Sequence, residues 1–562
     1  MSSVAPFLMF YIGAALAGVT RGTLRQVILL SIPIVGAVNL YYLPTGAYNT
    51  FELFDYTLTL TRVDKLSVVF GWVFHLAALI GLLYALHVRD TTQHVAGILY
   101  AGSSIGALFS GDLISLFLFW EMTAITSVFL ILARRTERAQ KTAIRYLVIQ
   151  VMSGVILLAG ALIRIHETGS LAFDFIGLNS PGGWLIFLAF GIKCAFPFLH
   201  NWLTDAYPEA TPTGAIFLSA FTTKLAVYTL ARGYAGTEIL VYIGATMTMF
   251  PIFYAVIEND LRRVLSYSLI NQVGFMVTGI GIGTELALNG AAAHAFAHII
   301  YKALLFMSMG AVLFRTGKIN GSDLGGLYKS MPLTTVFCII GAASISAFPL
   351  FSGFVAKSMV LTAALGEGYN GVWLALLFAS AGVFHHSGIK IPFFAFFAHD
   401  SGIRCKEAPT NMLIAMFLAA FVCVFLGVYP WPLYDILPFP VDYEPYTAAH
   451  VLTQSQLLFF SALAFCALKL TGLYPPELPG VNIDVDWAYR RLMSRSVRYL
   501  MATFSPVDKE LRSTFIGVIN KVINGAFQFV GPKGVLARTL PAGAMMFWAV
   551  ALLAGFLVVY LI

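Results

Sequence analysis

The chain has 562 residues, 59% of them hydrophobic and only 11% charged, with a net charge of +7, and its mean hydropathy is +0.82. A soluble domain carries roughly 25% charged residues, so a water-clad fold is excluded and lipid is the main solvent. The positive charge then fits the cytoplasmic Lys and Arg surplus of membrane proteins, not a nucleic-acid partner.

A spanning helix needs about 20 mostly apolar residues. That rule predicts about sixteen spans, near 4–20, 24–44, 65–86, 93–111, 113–133, 141–164, 182–200, 212–231, 237–257, 264–283, 288–314, 333–365, 370–398, 410–430, 454–474 and 542–562. The first has no basic stretch before it and reads as a span, not a cleaved leader. With the N-terminus outside, the loops that fall inside collect about 24 of the 34 Lys and Arg, and the outside loops about four. Arg134, Arg135, Arg138, Arg262 and Arg263 are among the inside residues, and Arg62, Lys65, Arg164 and Arg232 are outside. The expectation is a multi-pass protein of the inner (plasma) membrane with both termini on the outer side. Residues 477–540 interleave Arg490, Arg491, Arg495 and Arg498 with Trp487, Leu492, Met493 and Val497. They predict one or two amphipathic helices on the cytoplasmic face.

Lys193, Lys224, Lys302, Lys357, Lys390 and Lys469 fall within predicted spans, and of 27 acids only Glu121 lies well inside one. A central charge costs about 2.5–3.5 kcal/mol even on the lenient insertion scale, so packing alone does not explain the set. Lys469, near a span end, is expected to snorkel, and Lys390 stands either at the cytoplasmic edge or deeper. Burial lowers a lysine pKa and a nearby carboxylate raises it. A Glu121–Lys193 pair that opens and closes is therefore a proton switch. Arginine stays protonated, and the deep bases all read as lysine.

Helix breakers accompany two of these lysines. Pro197 follows Lys193 in GIKCAFPFLHNW, and Pro349 and Gly353 precede Lys357 in SAFPLFSGFVAK. Broken helices in two halves of a transporter point to inverted repeats and an ion site. In HAFAHIIYK, His294, His298 and Lys302 share one helical face. No third ligand or HExxH glutamate accompanies the histidines, so a proton relay is expected there and no metal. His385 and His386, before Lys390, either extend the path or simply pack. The five cysteines are odd in number and form no CxxC, so neither a disulfide framework nor a zinc or iron–sulfur site is expected.

The segments SGDLISLFLFWEMTAITS, GIKCAFPFLHNWLTDAYPEATPTGAIFLSAFTTKLAVYTLAR, LRRVLSYSLINQVGF, HAFAHIIYKALLFMSMGAVL and SAFPLFSGFVAKSMVL occur in family order over residues 64–400. In these the chain resembles the antiporter-like membrane subunits shared by respiratory complex I, membrane-bound hydrogenases and Mrp-type multisubunit Na+/H+ antiporters. The resemblance implies an all-α polytopic fold with two inverted five-helix repeats and broken helices 7 and 12. The implied division is spans 1–3 (1–92), spans 4–8 (93–235), spans 9–13 (236–400), spans 14–15 (401–475), a cytoplasmic amphipathic segment (476–541) and a final span (542–562). It also implies translocation roles for Glu121, Lys193, Lys224, His294, His298, Lys302 and Lys357, to which the residue pattern adds Lys390. The amphipathic stretch is too short for the long lateral helix of complex I, and residues 383–416 look more like the D-type member of the Mrp antiporters.

The expected function is a proton- or cation-translocating subunit of an Mrp-type Na+(K+)/H+ antiporter. One alternative is the same module in a complex-I-like NADH:quinone oxidoreductase or a membrane-bound hydrogenase. Another is a coupling or scaffold subunit of an inorganic carbon uptake complex. Expected partners are other membrane subunits, protons, Na+ or K+, and lipid. With no GxGxxG after a strand, no Cys cluster and no haem pair, no cofactor is expected. The chain is expected to be a transporter subunit and not an enzyme, with any redox chemistry in partner subunits.

Overall fold

The computed structural model describes every residue except 1–3, 54–55, 533, 535–536, 539–540 and 562. The chain divides into one unit of Met1–Asn482 and a second of Ile483–Ile562. Among the described residues, 12 helices are long and apolar enough to cross a membrane, and four shorter apolar helices accompany them.

The first unit opens with α1 (Pro6–Val19), α2 (Gly22–Tyr42), strands β1 (Gly46–Leu53) and β2 (Tyr56–Val63), and α3 (Lys65–Tyr84). The antiparallel β1–β2 hairpin is the departure from an all-helical chain. Its signal is the alternation of leucine and threonine in YTLTLTRV, although burial does not follow it: Leu58 is buried on one face and Thr61 and Val63 on the other. A reading tuned to 20-residue apolar runs passes over it.

Two matching successions follow. The first is α4 (Thr91–Phe109), α5 (Leu113–Leu132), α6 (Glu137–Thr168), α7 (Pro181–Cys194), α8 (Asn201–Glu209), α9 (Gly214–Ala220) and α10 (Thr222–Gly233). The second is α11 (Ile239–Ile257), α12 (Leu261–Ile282), α13 (Glu285–Thr316), α14 (Pro332–Ile345), α15 (Ser352–Gly366) and α16 (Asn370–Val383). The same devices recur at one constant separation along the chain. Asp112 and Asp260 cap α5 and α12 by accepting backbone N–H groups. Each also forms an isolated bridge, to Ala172 and to Asn320. Gly169 and Gly317, both left-handed, end α6 and α13.

Both expected breaks are present. Ala195 and Phe198 between α7 and α8, and Ala347 and Leu350 between α14 and α15, are non-glycine residues at positive φ. Such conformations cost about 1 kcal/mol or more and persist where packing imposes them. The freed backbone groups find partners: Trp202 Nε1 donates to Ile192 O at 2.8 Å and Gln454 Nε2 to Ser346 O at 3.1 Å. Gly353 admits the second break, because a Cβ there would stand 1.9 Å from Ser344 O. A third interruption, at Phe221 between α9 and α10, is not marked by proline or glycine. The Tyr100 hydroxyl fills it, accepting from Thr222 N at 3.0 Å.

Arg262 departs from the sequence reading. It falls beside an inside loop, yet it is fully buried in the first turn of α12. Its guanidinium donates to the carbonyls of Pro208 (3.1 Å), Ala210 (3.0 Å), Tyr207 (3.2 Å) and Thr211 (3.2 Å). These carbonyls lie at and just past the end of α8, where helix acceptors run short of backbone donors, which is why an arginine is held in the interior. The buried bases are thus not all lysine.

After α16 the helix continues through two π-helical stretches, Phe384–Ile389 and Phe393–Phe397. Helices Thr410–Val428 and Ala448–Leu470 complete this unit's spans. In the second unit one helix, Ser494–Val530, carries Pro506 within it and has no buried residue. The amphipathic segment is therefore mostly a single helix. Ala542–Leu561 follows it.

Candidate functional site

Lys193 occupies the last turn of α7, just before the break. Its Nζ donates to Trp120 O (2.6 Å) and Thr123 Oγ1 (2.9 Å), both on α5, and lies 4.2 Å from the centre of the Trp120 ring. Trp120 is fixed in turn, its Nε1 donating to Ser153 Oγ at 3.1 Å. Glu121, the next residue on α5, is not closed onto the lysine, and its buried Oε1 has no hydrogen-bond partner. Among the described residues Glu121 and Lys193 are within electrostatic reach of each other but form no ion pair.

Gly154 on α6 makes room for that carboxylate. A Cβ at this position would stand 1.5 Å from Glu121 Oε1. Gly154→Ala should swing Glu121 away with both charged groups intact. The expected result is transport slowed about 100-fold, the order of effect of misplacing a reacting group by an ångström, with a thermal unfolding midpoint near wild type. Wild-type transport rates in Gly154→Ala vesicles would show that the carboxylate's place is immaterial.

Lys224 lies in the first turn of α10, directly after the third interruption. Its Nζ donates to Ser219 O (2.6 Å) and Thr223 Oγ1 (3.2 Å). It is within electrostatic reach of Cys194, the neighbour of Lys193, and of His294, His298 and Lys302. It thus stands between the two halves of the row.

In the second half, His294 Nε2 pairs with Tyr301 OH (2.9 Å) and Gln272 Oε1 (3.2 Å), and Tyr301 OH donates to Gln272 Oε1 at 3.1 Å. Among the described residues neither ring nitrogen of His298 has a hydrogen-bond partner, and neither does Lys357 Nζ, which lies 4.7 Å from the centre of the Phe275 ring. Lys302 Nζ donates to Ser268 Oγ at 2.9 Å and, more weakly, to Leu265 O at 3.4 Å. Lys193, Lys224, His294, His298, Lys302 and Lys357 are each at most 1% exposed. Buried polar groups without protein partners call for water or a passing ion, as a hydrated proton path requires.

Lys390 is built differently. It lies between the two π-helical stretches and donates to Val256 O (2.7 Å) and Glu258 O (2.6 Å), at the end of α11. It also forms an ion pair with Glu477 at 2.9 Å. His386, four residues before it, bonds Ser387, whereas His385 stacks on Tyr474 at 5.4 Å. Lys469 is exposed, in keeping with snorkelling.

The expected residues therefore gather as two clusters joined at Lys224, with Lys390 in a third. Ser268, Gln272, Tyr301, Ser387 and Glu477 were not foreseen. Ser268 and Gln272 stand in the motif LRRVLSYSLINQVGF, the one signal that marks them. Among the described residues no group of three or more His, Cys, Asp or Glu is placed to hold a metal ion.

Fold and site together define a polytopic membrane protein with a buried titratable row. Residues 110–385 match the family described as NADH:quinone oxidoreductase/Mrp antiporter, TM. The D-type member of the Na(+)/H(+) antiporter of Alkalihalophilus pseudofirmus is 32% identical over 338 residues, 56% of this chain and 67% of that protein. Hydrogenase-4 component B of Escherichia coli is 26% identical over 67% of this chain and 63% of its own length. The N-type member of the NADH-quinone oxidoreductase of Desulforudis audaxviator is 31% identical over 57% and 69%. The chain belongs to this family of antiporter-like membrane subunits. Two solved structures share the fold. A chain of the Mrp complex from a Dietzia species has a TM-score of 0.69 at 20% identity, over 82% of this chain and 97% of that one. A chain of the archaeal membrane-bound sulfane sulfur reductase has a TM-score of 0.70 at 21% identity, over 99% of both.

Proposed function

We propose that the chain is a proton- and cation-translocating subunit of a multisubunit Mrp-type Na+(K+)/H+ antiporter. The buried row of lysines and histidines beside one glutamate carries this reading, since so many ionisable groups in a membrane interior mark an ion path. In it, Glu121, Lys193 and Lys224 form one half-path and His294, His298, Lys302 and Lys357 the other, within inverted repeats at 93–235 and 236–400. The Lys and Arg distribution supports placing both termini outside. Similarity to the D-type member of a Na(+)/H(+) antiporter favours antiport.

A second reading keeps the path and changes the machine, making the chain a pumping subunit of a redox-driven membrane complex. The observation in its favour is the likeness along 99% of the chain to a subunit of an archaeal respiratory complex. Purifying the intact complex and assaying Na+/H+ exchange in vesicles separates the two. Antiport predicts partners without flavin or iron–sulfur centres, and proton efflux on adding Na+ or K+. Redox-active partners with no cation-driven proton flux would favour the second reading.

A further inference from the structure

We propose that Glu477 is the loading group of an inner-face proton port that feeds Lys302 through Lys390, His386, Ser387 and Ser268. The inference rests on the row being a proton path and gives that path an entrance.

The geometry begins at Lys302. Ser268 Oγ lies 2.9 Å from Lys302 Nζ. Ser387 Oγ donates to Ser268 Oγ at 2.7 Å, and His386 Nδ1 stands 2.9 Å from Ser387 Oγ. Every member is buried. Three helices contribute: α13, α12 and the π-helical continuation of α16. π-helical turns are frequent at functional sites, and this one sets Ser387 against α12. The string ends on His386 Nε2, which is buried and has no hydrogen-bond partner among the described residues. An unfinished buried polar network is costly, so packing alone is a poor reason to keep it.

Lys390 stands four residues beyond His386, within its electrostatic reach, and ion-pairs with Glu477. Glu477 lies in the segment after helix Ala448–Leu470, and its side chain is 6% exposed. Besides Lys390, the charged groups within electrostatic reach of Glu477 are Lys469 and Glu258; Glu258 is held in turn by Asn482 Nδ2, which donates to its Oε2 at 3.2 Å, and by Arg263, which approaches the same oxygen at 4.0 Å. Burial raises the Glu477 carboxyl above its ordinary value, while Lys390 pulls it down. Such opposition suits a group that both takes and gives a proton.

The transfer balances. Glu477 takes a proton from inner water. Through a bridging water, the Lys390 ammonium gives a proton to His386 Nε2 and is reprotonated by Glu477. His386 Nδ1–H then passes a proton to Ser387, Ser387 to Ser268, and Ser268 to a neutral Lys302 amine. Hydroxyl rotation and a flip of the His386 ring, which returns an N–H to Ser387, reset the string, and the bond from Ser387 to Ser268 already points toward Lys302.

The test is transport by the assembled complex in vesicles, with thermal unfolding as control. Ser387→Ala should slow transport by about 100-fold, at the low end of proton-transfer contributions, with the unfolding midpoint unchanged. Ser387→Thr, which keeps the hydroxyl, should restore it. Glu477→Gln should be slowed similarly, and D2O should slow both residual rates further. Wild-type rates in Ser387→Ala or in Glu477→Gln, or a residual rate insensitive to D2O, overturn the port. If Glu477→Gln fails to assemble, the Ser387 pair decides alone. Lys302→Ala in the same vesicles separates the failures: wild-type transport there sinks the row itself, whereas loss there beside an unimpaired Ser387→Ala sinks only the port.

Discussion

Lys302→Ala is expected to abolish coupled ion transport, by at least about 100-fold, in a complex that still assembles. Lys302 is fully buried, and among the described residues no carboxylate ion-pairs with it. Its Nζ is held only by a serine hydroxyl and a distant carbonyl. Truncation therefore leaves no buried countercharge behind, and it removes a charge that is itself costly in a membrane. The fold gains or breaks even, and function loses the base that links Lys224 and His298 to Ser268. Transport measured with a pH-sensitive dye in vesicles, beside subunit composition of the purified complex, reads both effects. Wild-type flux would remove Lys302 from the path, and failure to assemble would make its role structural.

Arg262→Leu should do the reverse, destabilising the protein before any question of transport arises. Arg262 donates to four carbonyls where α8 ends. Leucine fills much of the volume but leaves those acceptors with fewer donors. Of the four, Pro208 O keeps Arg134 at 2.6 Å and Thr211 O keeps Ala215 N at 3.0 Å. The expected cost is about 1–3 kcal/mol for each buried carbonyl left without a donor. It should appear as a large drop in thermal unfolding midpoint in detergent, or as loss of assembled protein. Arg262→Lys should recover little, since a point charge does not fork across four carbonyls. An unfolding midpoint equal to wild type in Arg262→Leu would contradict this. Because Arg262 belongs to α12 and its acceptors follow the break after Lys193, it also ties the two successions of helices together.

Much of this arrangement was legible in the sequence, for one physical reason. An ionisable residue inside a 20-residue apolar run is conspicuous, because lipid makes it expensive. That rule found Glu121, Lys193, Lys224, Lys302 and Lys357, and proline found the breaks. The same rule is blind at span ends. Arg262 looked like a loop residue, although the carbonyls of α8 draw it inside. Glu477 fell at the start of the expected amphipathic segment, although it closes on Lys390. Ser268 and Ser387 are beyond any such rule, because serines are unremarkable in membrane helices and their 2.7 Å contact is a tertiary fact. The interruption at Phe221 is equally silent, since Tyr100, far earlier in the chain, fills it. The Glu121–Lys193 pair was expected from charge alone, whereas its present separation depends on where Trp120 O and Thr123 place the lysine.

The central claim is that the row works by gaining and losing protons, not as fixed charge. Proton flux in vesicles of the Lys193→Arg complex, beside wild type and Lys193→Ala, tests it most directly. Arginine keeps the positive charge but does not release its proton. The account predicts that Lys193→Arg is as impaired as Lys193→Ala. Wild-type flux in Lys193→Arg, with Lys193→Ala inactive, would contradict it and leave the row as fixed charge.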